Sequence, residues 1–144
     1  MGLNLTKNNL SDKAEAGFEF EVTMPGSGEP LGAFITVRGK ESKIVQAFAR
    51  RKFNEMQRRD AEAKRRGKEV EFNLDQAEDD VIERAVTHII SWRGIEEGEG
   101  KNVVEVPFNK ENAERITREY PWIREQVLEQ SSDLLNFLRL SFWR

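Results

Sequence analysis

Phe18, Phe20 and Val22 alternate with Glu19, Glu21 and Thr23, and this period of two constrains the fold more than any other feature of the chain. Successive side chains of an extended strand point to opposite faces, so the apolar residues share one side and the polar residues the other. A half-buried strand follows. Met24-Pro25-Gly26-Ser27-Gly28-Glu29-Pro30 then concentrates Pro and Gly in a turn, and Leu31 to Val37 is apolar and partly β-branched, a second strand ending near Gly39. Together these predict a β-hairpin with a long tip. A lone hairpin is marginal in water, so it must pack on helices or pair with another chain. Residues 1–16 are polar without sustained periodicity, and the expectation is a flexible N-terminal arm with order beginning near Phe18.

Beyond the hairpin the period changes from two to about 3.6. Ser42 can cap a helix through its hydroxyl, and Val45, Phe48, Ala49, Phe53 and Met56 recur at intervals of mostly three or four as one apolar stripe. From Gln57 to Arg66 the chain is charged residues and alanines, which predicts an exposed basic helical extension stopped by Gly67. After a short extended link, Glu69 to Asn73, a second helix is expected from about Asp75 to Trp92. Asp75 would cap it, and Glu78, Asp79 and Asp80 suit the positive end of its dipole. Its inward face reads Ala77, Val81, Ala85, Ile89 and Trp92, widened by Ile82, Val86 and Ile90; Gly94 would end it.

Glu96 to Lys101 reads as a Gly/Glu-rich loop without a fold of its own, and Val103 to Phe108 as a short β-prone stretch limited by Pro107. Asn109 can cap a helix running through Glu119 with Ala113 and Ile116 inward, and Pro121 suits the first turn of a final helix. That helix carries Ile123, Val127, Leu134 and Leu138 at helical spacing, with Ser131-Ser132-Asp133 breaking or recapping it. The whole is an α+β chain, mainly α-helical, with an N-terminal β-hairpin packed on a bundle of about four helices. Residues 17–144 form a single hairpin-plus-helices domain in this reading, with an apolar C-terminal helical arm.

The chemistry points away from catalysis. The chain has 144 residues and no cysteine, which rules out thiolate metal sites and cysteine nucleophiles. His88 is the only histidine, so a paired-histidine zinc site is impossible, and its place between Thr87 and Ile89 suits a helix face. Glu78, Asp79, Asp80 and Glu83 are explained by a helix start, and Gly26-Ser27-Gly28 lacks the lysine and spacing of a phosphate loop. No enzyme, cofactor or metal is expected. Trp92, Trp122 and Trp143 each lie near an expected helix end, where a large amphipathic ring closes a core or anchors a contact. No apolar run approaches the roughly 20 residues that span a bilayer, so no membrane is expected.

Charge is unevenly distributed. Nine basic against three acidic residues give positions 50–68 a charge of +6, leaving −9 on the rest of a chain whose net charge is −3. Such polarity steers an acidic partner or aligns copies head to tail, and it also suits the wet face of a helix. A nucleic-acid footprint is the weaker reading, since the remainder is acidic and no helix-turn-helix is evident.

The order of these elements resembles the tail assembly chaperones of long-tailed bacteriophages. The similarity runs from about Phe18 to Leu138 and rests on several short pieces. These are Pro-Gly-Ser-Gly-Glu-Pro-Leu-Gly at the hairpin tip, Ile35-Thr36-Val37-Arg38-Gly39 before a serine-capped helix, and Trp92-Arg93-Gly94-Ile95 before an acidic loop. Val106-Pro107-Phe108-Asn109 with Glu111-Asn112, Tyr120-Pro121-Trp122, and Asp133 followed by Asn136-Phe137-Leu138 complete the pattern. The resemblance implies an assembly factor that coats the tape-measure protein, keeps it soluble and helps recruit tail-tube subunits, acting in the host cytoplasm and absent from the mature virion. It also implies a homo-oligomer and a longer form made by ribosomal frameshifting, with this chain the short form. On that reading the client is gripped by Phe137, Leu140, Phe142 and Trp143, with Arg58, Arg59, Arg65 and Arg66 as a second contact surface. A structural tail completion or connector protein is the rival within the same viral setting.

Overall fold

The computed structural model describes residues 2–69 and 72–142, with side chains as far as residue 138. The architecture is α+β. A three-stranded antiparallel sheet packs against helices, and a short two-stranded ladder flanks it. Strand β1 (Phe18–Thr23) pairs with β2 (Pro30–Val37) in the register Phe18 to Val37 and Phe20 to Ile35, with an irregularity between Glu21 and Thr23. The period-two alternation does what it predicts: Phe20, Val22, Ile35 and Val37 are all buried on one face.

Helix α1 (Leu10–Ala16) precedes the sheet, so order begins earlier than the expected arm allowed. Only Ala14 of this helix is buried, and seven residues with one inward side chain leave no periodicity to detect. Tertiary contacts hold it instead. The Ala14 carbonyl accepts from the Gly39 amide, and the Glu15 carboxylate accepts from the Ser42 hydroxyl and the Ile44 amide. Those groups open helix α2 (Lys43–Arg65), where the Ser42 hydroxyl also takes the Val45 amide, the cap the sequence predicts. The Ser42 hydrogen bond holds Glu15 below the ordinary carboxylate value.

Helix α3 (Leu74–His88) starts on Asn73, whose side chain accepts from the Gln76 amide, and Asp75 lies in the first turn rather than at the cap. It also stops four residues before Trp92. Ile89–Arg93 is strand β3, antiparallel to β2 in the register Ile35 to Trp92 and Thr36 to Ser91. The helical period continues through Ile89 and Trp92, but β2 had an edge to fill, and Ile89 and Ile90 are β-branched residues that suit it. Arg38, just past β2, fixes the break. Its guanidinium donates to the Thr87 carbonyl at 2.9 Å and the Ile89 carbonyl at 3.3 Å, and its amide donates to the His88 carbonyl. These are carbonyls that a helix end leaves without partners. His88 answers by donating from Nδ1 to the Arg38 carbonyl at 2.8 Å. It is a buried, hydrogen-bonded residue at the helix end rather than in mid-helix.

Gly94 turns the chain after β3 at φ 79°, where a side chain would meet the Gly32 carbonyl. The expected structureless loop is partly a ladder: β4 (Glu96–Glu97) pairs with β5 (Val104–Glu105). Trp92 ties this ladder to the sheet, its indole donating to the Val106 carbonyl at 2.8 Å with Phe108 edge-on to its ring. Helix α4 (Lys110–Glu119) is capped by Asn109 as expected, with Ala113 and Ile116 buried. Helix α5 (Pro121–Ser132) begins on Pro121 and ends at Asp133. Its Gln126 amide both donates to and accepts from the Thr23 backbone, closing one end of the outer edge of β1. Asp133 then caps α6 (Leu134–Phe142), which turns back over β1 and α1.

Candidate partner-docking groove

Helices α2 and α3 form a hairpin of unequal arms, 23 and 15 residues long. At a rise of about 1.5 Å per residue, α2 runs about 12 Å further than its partner covers. Cross-helix ion pairs fix the register: Arg51 meets Glu83 at 3.1 Å, and Lys52 meets both Asp80 at 3.2 Å and Glu83. Hydrogen bonding to Glu83 and Asp80 raises Lys52 above its ordinary value despite partial desolvation. Burial alone would raise Asp80, but the Gln76 amide and the Lys52 ammonium outweigh it and hold the carboxyl low. Arg51 and Lys52 also lie over the ring of Phe48.

The apolar stripe of α2 therefore divides. Val45 and Phe48 are 8 % exposed, whereas Phe53 and Met56 are 58 % and 56 % exposed. Periodicity marks all four as one face, yet exposure splits it between Phe48 and Phe53 although α3 reaches past Met56. Between the two helices, over a floor of Leu128 and Ser132 from α5, lies a groove of about 480 Å³. Its walls are Val45, Phe48, Ala49 and Met56 on one side and Val81 and Arg84 on the other, with His88 and Lys40 toward one end. Among the described residues, neither Lys40 nor Arg84 has a carboxylate within ion-pairing distance. A second groove of about 350 Å³, lined by Leu31, Ala33, Ile95, Tyr120 and Trp122, lies beside the hairpin. Of its two acidic residues, Glu96 and Glu97, the latter is held by Arg115, at 2.6 and 2.9 Å, which lowers the Glu97 carboxyl below its ordinary value.

The residues singled out in the sequence fall in different places. Arg58, Arg59, Arg65 and Arg66 are all exposed near the distal end of α2. Helical phase separates them: Arg59 and Arg66 continue the face of Val45, Ala49, Lys52 and Met56, while Arg58 and Arg65 stand on the opposite side. The field of Arg59 on Asp80 agrees with that placement, and Arg66 is paired with Glu62 at 2.8 Å. Phe137 is not an exposed anchor. It is 3 % exposed, edge-on to Phe18, because the break at Asp133 folds α6 back onto the sheet. Leu140 and Phe142 belong to α6, but their side chains, and all of Trp143, lie outside the described residues. Phe53 and Met56, which the sequence reading placed on the inward stripe, are instead exposed.

Among the described residues, no group of three or more His, Asp, Glu or Cys side chains is arranged to hold a metal ion. No helix among them is long and apolar enough to cross a membrane.

Residues 39–139 match the family described as YdaY prophage protein. The chain belongs to that family. No curated protein and no solved structure matches it. The protein is thus phage-derived, and the YdaY match takes in every residue that lines the larger groove. It begins after β1 and β2, so the hairpin lies outside the matched segment.

Proposed function

We propose that this YdaY-family protein is a tail assembly chaperone, which binds the tape-measure protein, keeps it soluble and helps recruit tail-tube subunits. The observation that carries the reading is the uncovered half of the α2 stripe. Phe53 and Met56 stand exposed, and Met56 lines an open apolar groove, a surface suited to releasable contacts with a helical client. The resemblance of the hairpin tip, the Trp92-Arg93-Gly94-Ile95 stop and the Asn109 restart to such chaperones supplies the client's identity. On this reading the protein acts by binding and catalyses nothing. It works in the host cytoplasm as a homo-oligomer, alongside a frameshifted longer form, and leaves before the virion is complete.

Co-expression with the tape-measure protein of the same prophage tests this. The expected result is a tape-measure protein that stays in the soluble fraction and co-purifies with the chain. Mass spectrometry of purified particles should find the chain absent. Abundant chain in the particles, with no change in tape-measure solubility, would replace the chaperone by a structural tail component.

A further inference from the structure

We propose that the groove between α2 and α3 takes one particular kind of partner, an amphipathic helix whose apolar ridge is flanked at both ends by acidic side chains. The inference rests on the reading of this face as the client-binding surface and adds the chemistry of the segment bound.

The shape comes first. The groove is bounded by two helices and floored by a third, the arrangement into which a partner helix lays one apolar face. Its volume of about 480 Å³ compares with about 150 Å³ for a cavity that holds one benzene, so it has room for about three large apolar side chains. Three or four at i, i+3, i+4 and i+7 are what one ridge of an amphipathic helix presents.

Charge supplies the rest. Inside the groove the one carboxylate, Asp80, is paired with Lys52, which it shares with Glu55 and Glu83. Three cations surround the apolar floor with no carboxylate within ion-pairing distance among the described residues: Lys40 toward one end, Arg84 on the α3 wall, and Arg59 past the other end. From the start of α2 to Arg59 is 16 residues, about 24 Å of helix, which a partner helix of about the same length would span. An apolar ridge with basic side chains at its ends would meet like charges at both; one with acidic ends meets complementary ones. Because Lys40, Arg59 and Arg84 are exposed, their contribution should fall with added salt.

The test uses the full-length chain and two fluorescently labelled peptides of about 18 residues. Both carry leucines at i, i+3, i+4 and i+7; one has glutamates at its two ends and the other lysines in their place. Anisotropy should show the glutamate peptide binding at least about tenfold more tightly than the lysine peptide at low salt, a difference of about 1.4 kcal/mol. The surface variant Arg59→Glu/Arg84→Glu should invert the preference, and Val81→Asp should abolish binding of both. Equal affinity for the two peptides, or a preference unmoved by the double substitution, overturns the proposal. So does a dimer in ultracentrifugation that Val81→Asp dissolves, since the groove would then belong to a second copy. Capture of a mixed-sequence oligonucleotide in place of the glutamate peptide, lost in the same variants, also overturns it. If the peptides fail but the tape-measure protein is still solubilised, the inference falls and the chaperone reading stands. The reverse outcome separates them the other way.

Discussion

Phe137 and Gly39 give the sharpest test of how the C-terminal helix is seated. Phe137 is 3 % exposed, with its ring edge-on to Phe18 at 6.3 Å between centroids. A Cβ built at Gly39 would stand 3.0 Å from one carbon of the Phe137 ring and 3.2 Å from both a second ring carbon and the Ala14 methyl. Gly39→Ala should therefore overpack this junction and cost about 1–3 kcal/mol. Phe137→Ala removes a buried ring and should cost about 3–5 kcal/mol. Were the two effects independent, the double variant would lose about 4–8 kcal/mol, more than many domains possess. They are not independent, because the added methyl occupies space that the ring vacates. The double variant should be more stable than the sum predicts by about 0.5–3 kcal/mol.

Urea denaturation followed by circular dichroism measures all four corners of this cycle. With a slope of about 2 kcal/mol per molar, Phe137→Ala alone should lower the midpoint by about 1.5–2.5 M. If the global fold does not survive, Phe137→Leu replaces it and keeps the cycle measurable. An exposed client anchor, the role the sequence suggested for Phe137, would shift stability by no more than about 0.5 kcal/mol. A Phe137→Ala midpoint within about 0.3 M of the parent, or strict additivity with Gly39→Ala, would refute the packing described above.

Other expectations follow from single contacts. Desolvation holds His88 below its ordinary value of 6.5, so below that pH the unfolded chain takes up the proton first. The stability due to neutral His88 is complete above 6.5 and is lost as the pH falls toward its lower folded value, whereas Glu15, Glu19 and Glu97, held below 4.5, act only at lower pH. Between pH 7 and 5 the urea midpoint should thus decline in the parent and stay flat in His88→Gln; parallel declines would reject the assignment. Trp92→Phe keeps a ring against Phe108 but strands the Val106 carbonyl, for an expected loss of about 1–3 kcal/mol in the same assay, and a neutral result would mean that the indole bond contributes little. On α2, Phe48→Ala should cost about 3–5 kcal/mol while Met56→Ala costs less than about 1, although both belong to one sequence stripe. Equal losses would show that the distal half is covered after all.

Much of the fold was legible because it is written locally. The alternation of β1, the Ser42 and Asn109 caps, Pro121 at a helix start and the break at Asp133 each depend on a few neighbouring residues, and each appears where the pattern put it. What was not legible depends on distant partners. Ile89 to Trp92 satisfies the helical period as well as the extended one, and only the edge of β2, some fifty residues earlier, selects the strand. The two-residue strands β4 and β5 are too short to show a period, and α1 is ordered by Gly39 and Ser42 rather than by its own sequence.

The candidate site shows the same division. Pattern reading correctly found that α2 is apolar to Met56 and basic beyond it, but it had to treat the stripe as uniformly buried and the four arginines as one cluster. Burial of a stripe depends on what packs across it: the Arg51–Glu83 and Lys52–Asp80 pairs set Met56 opposite the first turns of α3, yet Phe53 and Met56 stay exposed. Ending α3 at His88 and starting β3 at Ile89 fixes the top of the helical hairpin against the sheet through Arg38. With the top pinned there and only 15 residues in α3, the bottom of α2 is left without cover. Helical phase keeps Arg59 beside Met56 and sends Arg58 and Arg65 to the far side.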